Sequence, residues 1–376
     1  MYYVVYAVFN RETLGQHRGV KNYESPLHAL EQGTWFKLIC GASYQHLPAI
    51  RNLALAYTLA GADCIDVAAD PAVISAAKDG ILAARELARS SGSHDKPLLM
   101  ASLNDGEDPH FRKAEFDPKS CPTDCPRPCE RVCPAQAINS TGVIDERCYG
   151  CGRCIPICPQ QLIFTRSHIY TPEAIAPLVI ASGVEAIEIH TQVGRVADFT
   201  RLWQAIAPQL DKLQLIAVSC TDGEGLIDYL WEIADLMQPS PATLIWQTDG
   251  RSMSGDIGKG TTHAAIKLGA KVMEAKLPGF VQLAGGTNEY TVAKLDKLKL
   301  LKPRSPKSHN YIAGVAYGSY ARTLLSPILD RLENQPSTSD ACLETNPQLL
   351  WEAVALARSL VSQIKSSSKG QVTSCG

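Results

Sequence analysis

The sequence predicts an α/β fold: a (β/α)8 barrel interrupted by one cysteine-rich insert. Three observations predict it. Short apolar runs alternate eight times with amphipathic helical patterns, as in parallel strands joined by crossover helices. Eight of the thirteen cysteines crowd between Cys121 and Cys158. No G-x-G-x-x-G follows the first apolar run, so an open dinucleotide-binding sheet lacks its fingerprint. At about 150 residues per domain, 376 residues suit two to three domains, or one large barrel with an insertion.

The expected strands are 36–40, 64–68, 98–103, 186–190, 215–219, 243–247, 280–284 and 312–317. Helical patterns follow them at 47–60, 71–89, 172–182, 196–210, 225–237, 262–275, 288–300 and 320–332. The insert then falls after the third strand, in a βα loop, and such loops meet at the C-terminal face where barrel active sites lie. The expected divisions are residues 1–108 for the first three strands, 109–166 for the insert, and 167–335 for the rest of the barrel. A C-terminal helix over 336–365 and a frayed tail over 366–376, carrying an exposed Cys375, complete the chain.

Composition excludes several classes. Hydrophobic residues at 45% and charged residues at 20% fit neither a disordered chain nor a coiled-coil rod. A formal net charge of -2 supplies no field for nucleic acid or anionic lipid. An odd cysteine count with so lopsided a distribution is not a secreted disulfide framework. The start, MYYVVYAVFNRE, lacks a basic and apolar leader, and no stretch reaches the ~18 apolar residues of a membrane span. A reducing, cytoplasmic setting is the expectation.

The insert contains two related halves. Cys148, Cys151, Cys154 and Cys158, followed by Pro159, form C-x2-C-x2-C-x3-C-P, the bacterial ferredoxin run, whose fourth cysteine serves the other cluster. Cys121, Cys125, Cys129 and Cys133 end the same way at Pro134, but their first three are spaced by three residues each. Crosswise exchange assigns Cys121, Cys125, Cys129 and Cys158 to one 4Fe-4S cluster, and Cys148, Cys151, Cys154 and Cys133 to a second. Paired structural zinc sites are the alternative, although zinc ribbons pair C-x2-C knuckles and have no need of two C-P endings. No C-x3-C-x2-C run of the radical-SAM kind occurs. Gly142, Gly150 and Gly152 would let backbone amides approach inorganic sulfur.

Polar residues end several strands at the expected active face: Ser43, Tyr44, Asp70, Asn104, Asp105, His190, Ser219, Cys220 and the loop 249–256. Each is also an ordinary helix cap or turn residue. The turns at Gly285-Gly286 and Gly318-Ser319, after the last two strands, are candidates for a phosphate cradle and resemble the flavin-phosphate site of FMN barrels such as dihydroorotate dehydrogenases. Gly255 to Thr261 misses the P-loop pattern, because Gly260 follows Lys259. Cys40, Cys64 and Cys342 read as small buried hydrophobes.

On the segment CPTDCPRPCERVCP...CYGCGRCIPICP, the chain resembles the cyanobacterial light-dependent period (LdpA) family. The resemblance implies a redox-responsive input to the circadian clock that contacts clock and sensor-kinase proteins. The first functional expectation is therefore an electron-transfer or redox-sensing protein with an electron donor or acceptor as partner. The second is an iron-sulfur oxidoreductase whose clusters feed a flavin at the barrel mouth. The third is a scaffold with electron-inert clusters.

Overall fold

The computed structural model describes residues 26–40, 46–89, 96–106, 112–133, 137–145, 148, 154–167, 171–251, 258, 260–303, 310–334 and 342–367. Expectations for Ser43, Tyr44, Pro134, Gly150, Cys151, Gly152, 252–257, Lys259 and Cys375 fall outside them.

A short helix that the sequence did not announce, α1 (His28–Gln32), precedes β1 (Trp35–Ile39). The chain continues through α2 (Leu47–Ala60), β2 (Cys64–Ala68), α3 (Pro71–Arg89) and β3 (Leu98–Asn104). The insert follows: β4 (Arg112–Glu115), α4 (Pro128–Val132), β5 (Ile138–Asn139), β6 (Gly142–Val143), α5 (Cys154–Ile157) and β7 (Phe164–Ser167). The alternation then resumes with α6 (Pro172–Ala181), β8 (Ala186–Thr191), α7 (Val196–Ile206), β9 (Leu215–Cys220), α8 (Leu226–Leu236) and β10 (Leu244–Asp249). It ends with α9 (Thr262–Glu274), β11 (Phe280–Ala284), α10 (Thr291–Lys297), β12 (Ile312–Tyr317), α11 (Ser319–Glu333) and α12 (Pro347–Ser367).

Eight parallel strands close into a barrel in the order β1-β2-β3-β8-β9-β10-β11-β12, and β12 returns to β1 with Trp35 opposite Gly314. Each strand alternates. Phe36, Leu38, Ile65, Val67, Ile187, Ile189, Ile216, Val218 and Trp246 belong to the apolar layer under the helices. Trp35, Cys64, Leu98, Met100, Ala186, Leu215, Ala217, Ile245 and Ala313 join Ala29 and Leu30 of α1 in a second cluster that floors the barrel. Burying two apolar layers at ~25 cal/mol per Å2 of surface is what holds such a fold together. Helix α12 packs against α2 and α11, and Lys365 reaches both Asp63 carboxylate oxygens at 2.6 Å.

Three differences from the expected elements have local causes. The helix expected over 196–210 ends at Ile206 and continues as a 3-10 turn, where Pro208 cannot donate to the helical ladder. The helix expected over 288–300 shortens to Thr291–Lys297. Its start is held by Asn288 N–H donating to Thr291 Oγ1 at 2.9 Å, and its end by Lys299 at φ 57°. The helix expected over 336–365 begins only at Pro347, after a 3-10 turn at Leu343–Thr345, and runs to Ser367, two residues into the expected tail. Cys40 and Cys64 are buried, as expected of small hydrophobes, whereas Cys342 is only half-buried.

Candidate iron-sulfur centre and barrel mouth

The insert is a small two-ribbon unit. Strand β4 pairs antiparallel with β7, placing Arg112 opposite Ser167 and Glu115 opposite Phe164, so the chain leaves and rejoins the barrel at one place. Hairpin β5/β6 turns through Ser140 and Thr141 into Gly142, whose φ of 125° suits a residue without a side chain. Helices α4 and α5 each precede the C-P ending of their half, so Cys133 and Cys158 emerge from equivalent helix ends. The interior is tiny: Ala114, Ala137, Ile138 and Ile163 with Cys129, Cys148 and Cys154, edged by Phe116, Val132, Val143 and Ile155.

Backbone amides are aimed at sulfur. Ala114 N–H donates to Cys148 Sγ at 3.3 Å, and Ala137 N–H donates to Cys133 Sγ at 3.2 Å. Partial desolvation first, and then the neighbouring Cys125 and Cys158, push the Cys121 thiol above its ordinary value. Desolvation raises the Cys129 thiol as well, and Cys158 contributes there too. The last cysteine of the second run, Cys158, packs against the same small core as Cys129 of the first. Among the described residues no three His, Cys, Asp or Glu side chains converge as a single ion requires.

At the mouth, the strand-end residues divide. Asp70, 2% exposed, caps α3 by accepting from Ala72 N–H at 2.8 Å, and its Oδ2 lies 3.9 Å from Lys113 Nζ of β4. Burial raises its carboxyl while Lys113 opposes the rise. Asp105 accepts from Thr191 Oγ1 at 2.5 Å and pairs with Arg195 at 3.1 Å. Burial pushes the Cys220 thiol up to about 12, which leaves it without thiolate reactivity at neutral pH. His190 and Asn104 are partly exposed, and His190 Nε2 lies 3.1 Å from Glu188 Oε1.

Beneath His190 lies a polar layer that the sequence analysis missed. Lys37 Nζ, fully buried, pairs with Glu188 Oε2 and with Asp66 Oδ2 at 2.9 Å, and donates to Gln247 Oε1 at 2.9 Å. Gln247 Nε2 donates to Glu188 Oε1 at 2.6 Å and to Ser219 Oγ at 3.2 Å. Ser102 Oγ donates to Asp66 at 2.7 Å, Gln282 Nε2 to Gln247 at 2.6 Å, and Trp35 Nε1 to Gln282 at 2.6 Å. Barrel interiors are ordinarily filled by branched apolar side chains, so this layer is costly to bury. Desolvation works against the Lys37 charge, but Asp66 and Glu188 outweigh it and hold its pKa above the ordinary value. Burial pushes Asp66 up to about 6. Asp249, also near 6 through burial, has a buried Oδ1 without a hydrogen-bond partner. The signal was available: in F-K-L, I-D-V, I-E-I and W-Q-T-D, a polar residue alternates with outward apolar ones and must face the axis.

The two glycine turns differ in charge. Gly285, at φ 61°, sits against Asp249, and a Cβ there would lie 1.7 Å from Asp249 Oδ1. The carbonyl of Gly286 accepts from Thr261 Oγ1 at 2.7 Å. At the other turn, Arg322 donates to Ile39 O at 3.0 Å and to Ser319 Oγ at 3.2 Å, beside Gly318 at the start of α11. A cation therefore accompanies Gly318-Ser319, and a carboxyl accompanies Gly285.

The topology and the insert define a class: a (β/α)8 barrel carrying a cysteine-rich module in the loop after its third strand. Residues 121–169 match the LdpA Fe-S cluster-binding domain, and residues 178–363 match the Light dependent period A C-terminal domain. Light dependent period A of Synechococcus elongatus is 54% identical over 349 residues, covering 93% of this chain and 96% of that protein. The chain belongs to the light-dependent period A family and is an iron-sulfur protein. Among solved structures, a Mycobacterium tuberculosis tryptophan synthase overlays with TM-score 0.41 at 12% identity, covering 90% of this chain and 96% of that one. The Legionella pneumophila tryptophan synthase alpha chain gives 0.41 at 10% identity, with coverages of 93% and 100%.

Proposed function

We propose that this chain is a redox-sensing electron-transfer protein with two 4Fe-4S clusters, one held by Cys121, Cys125, Cys129 and Cys158, the other by Cys148, Cys151, Cys154 and Cys133. The observation that carries the reading is the packing of Cys158, from the second run, against the small core that contains Cys129 of the first. The donor set is thiolate throughout, the ligand chemistry of such clusters. Each cluster would supply one-electron transfer. The chain's own residues do the rest: Ala114 and Ala137 direct N–H groups at ligand sulfur, where they favour the reduced state, and the Ile138/Ile163 core limits water. A cytoplasmic site of action is part of the proposal, as are an electron donor or acceptor and clock or sensor-kinase proteins as partners. Ile157, beside Cys158, and Phe164 are exposed apolar side chains on the module, suited to a transient protein contact.

A flavin-dependent oxidoreductase is the second reading, favoured by Arg322 beside the helix start at Gly318-Ser319. Anaerobic purification separates the two. About eight iron and eight sulfide per chain, with no flavin released on denaturation, is the expected result. Released flavin would promote the oxidoreductase; zinc, or about four iron, would overturn the two-cluster assignment. Cys133→Ser is expected to abolish the signal of the cluster held by the later run, and Cys158→Ser that of the earlier one.

A further inference from the structure

Lys113 joins the barrel to the module. Its ammonium is buried, with the side chain 6% exposed, and it faces Asp70 Oδ2 of the β2–α3 loop at 3.9 Å. The same Nζ donates to the Asp145 carbonyl, in the turn that leads to Cys148. Cys148 N–H in turn donates to Ile144 O at 3.0 Å. The residue after Lys113 donates its own N–H to Cys148 Sγ at 3.3 Å. One strand of four residues, β4, thus touches a barrel carboxylate with one residue and a cysteine sulfur with the next. On the module's outer side Arg166 pairs with Glu115 at 2.9 Å and approaches Asp145 at 3.6 Å, but both partners are exposed and screened. The Lys113–Asp70 pair is the buried one.

We propose that Lys113 and Asp70 form an electrostatic latch that docks the module on the barrel mouth and sets the potential of the cluster bound by Cys148, making Lys113 a positioning residue for that cluster. The inference rests on the two-cluster reading and deepens it. Reduction adds negative charge to a cluster, so a buried cation nearby favours the reduced state and the paired carboxylate offsets it. Breaking the pair from its two sides must therefore act in opposite senses. Lys113→Met leaves the Asp70 carboxylate, and the potential of the later-run cluster falls. Asp70→Asn leaves the Lys113 ammonium, and the potential rises. A merely structural contact would loosen the module in both variants and move the potential in one sense only.

The test is a redox titration of the holoprotein followed by electron paramagnetic resonance, on wild type, both single variants and the double variant, with limited proteolysis within 112–167 read in parallel. Expected are shifts of opposite sign in the single variants, partial return in the double variant, an unchanged earlier-run cluster, and faster cleavage in each single variant. Unchanged potentials, or shifts of one sign, would overturn the latch as a control of potential. If wild type proves to hold only one cluster, the two-cluster reading has failed. The docking role then stands or falls on the proteolysis alone, with unchanged cleavage refuting it.

Discussion

Asp249 shows how a strand-end residue acquires an unusual ionisation. Burial first, and Glu188 beyond it, raise its carboxyl to about 6, while His190 and Lys37 pull the other way. The folded chain holds this proton more tightly than the unfolded one, whose carboxyl titrates near 3.8. The group's stabilising contribution is therefore complete below pH 4 and lost as pH rises through about 6. A shift of about two pH units corresponds to at most about 3 kcal/mol at ~1.4 kcal/mol per unit. Asp249→Asn is expected to flatten that loss, so that urea unfolding at pH 4 and pH 7 shows the variant gaining on wild type at the higher pH. A constant difference across the range would refute the assigned burial cost. Lys37 obeys other rules. Two carboxylates and Gln247 surround its ammonium, so it stays charged and serves as the centre of the polar layer.

Among the elements, the Gly285 turn carries the firmest expectation. The backbone there is left-handed at φ 61°, and the space a side chain would enter is filled by Asp249 Oδ1 and, at 2.8 Å, by the Arg251 amide. Gly285→Ala should cost about 1–3 kcal/mol in urea unfolding, from the φ penalty and the forced displacement together. An unchanged midpoint would mean that the β10 and β11 loops yield freely. Strands β2, β11 and β12 and helices α2 and α3 fall where the sequence predicts them, because apolar alternation and flanking Gly or Pro mark their ends. Helix α1 escaped notice because five residues make little more than one turn, too short for an apolar face to repeat; it exists by packing Leu30 beneath the barrel. The shortened α10 likewise reflects an Asn288 turn that a hydrophobic pattern does not report.

For the whole molecule, the unequal size of the two cores sets the order in which parts fail. The barrel has an extended apolar layer under its helices and a second apolar cluster at its floor, whereas among the described residues three of the seven that form the module's buried core are cysteines. Without iron that interior is too small to fold alone, since cluster binding supplies the module's folding free energy. Stripping iron with chelator is expected to open 112–167 to protease while far-UV circular dichroism keeps most of its barrel signal. Loss of the whole spectrum would show instead that the module and barrel fold as one cooperative unit.

The cysteine pattern, the barrel class and the location of the insert could be read from the chain alone, because cysteine spacing and apolar periodicity are local properties. The neighbours of Lys113 and Lys37 could not. Barrel closure brings Asp66 of β2 and Glu188 of β8 to Lys37, and the docking of the module brings Lys113 to Asp70, just past the end of β2. The same closure separates the two glycine turns, which look alike in sequence, into one beside a carboxyl and one beside a guanidinium, because the side chains that face each turn come from other parts of the chain.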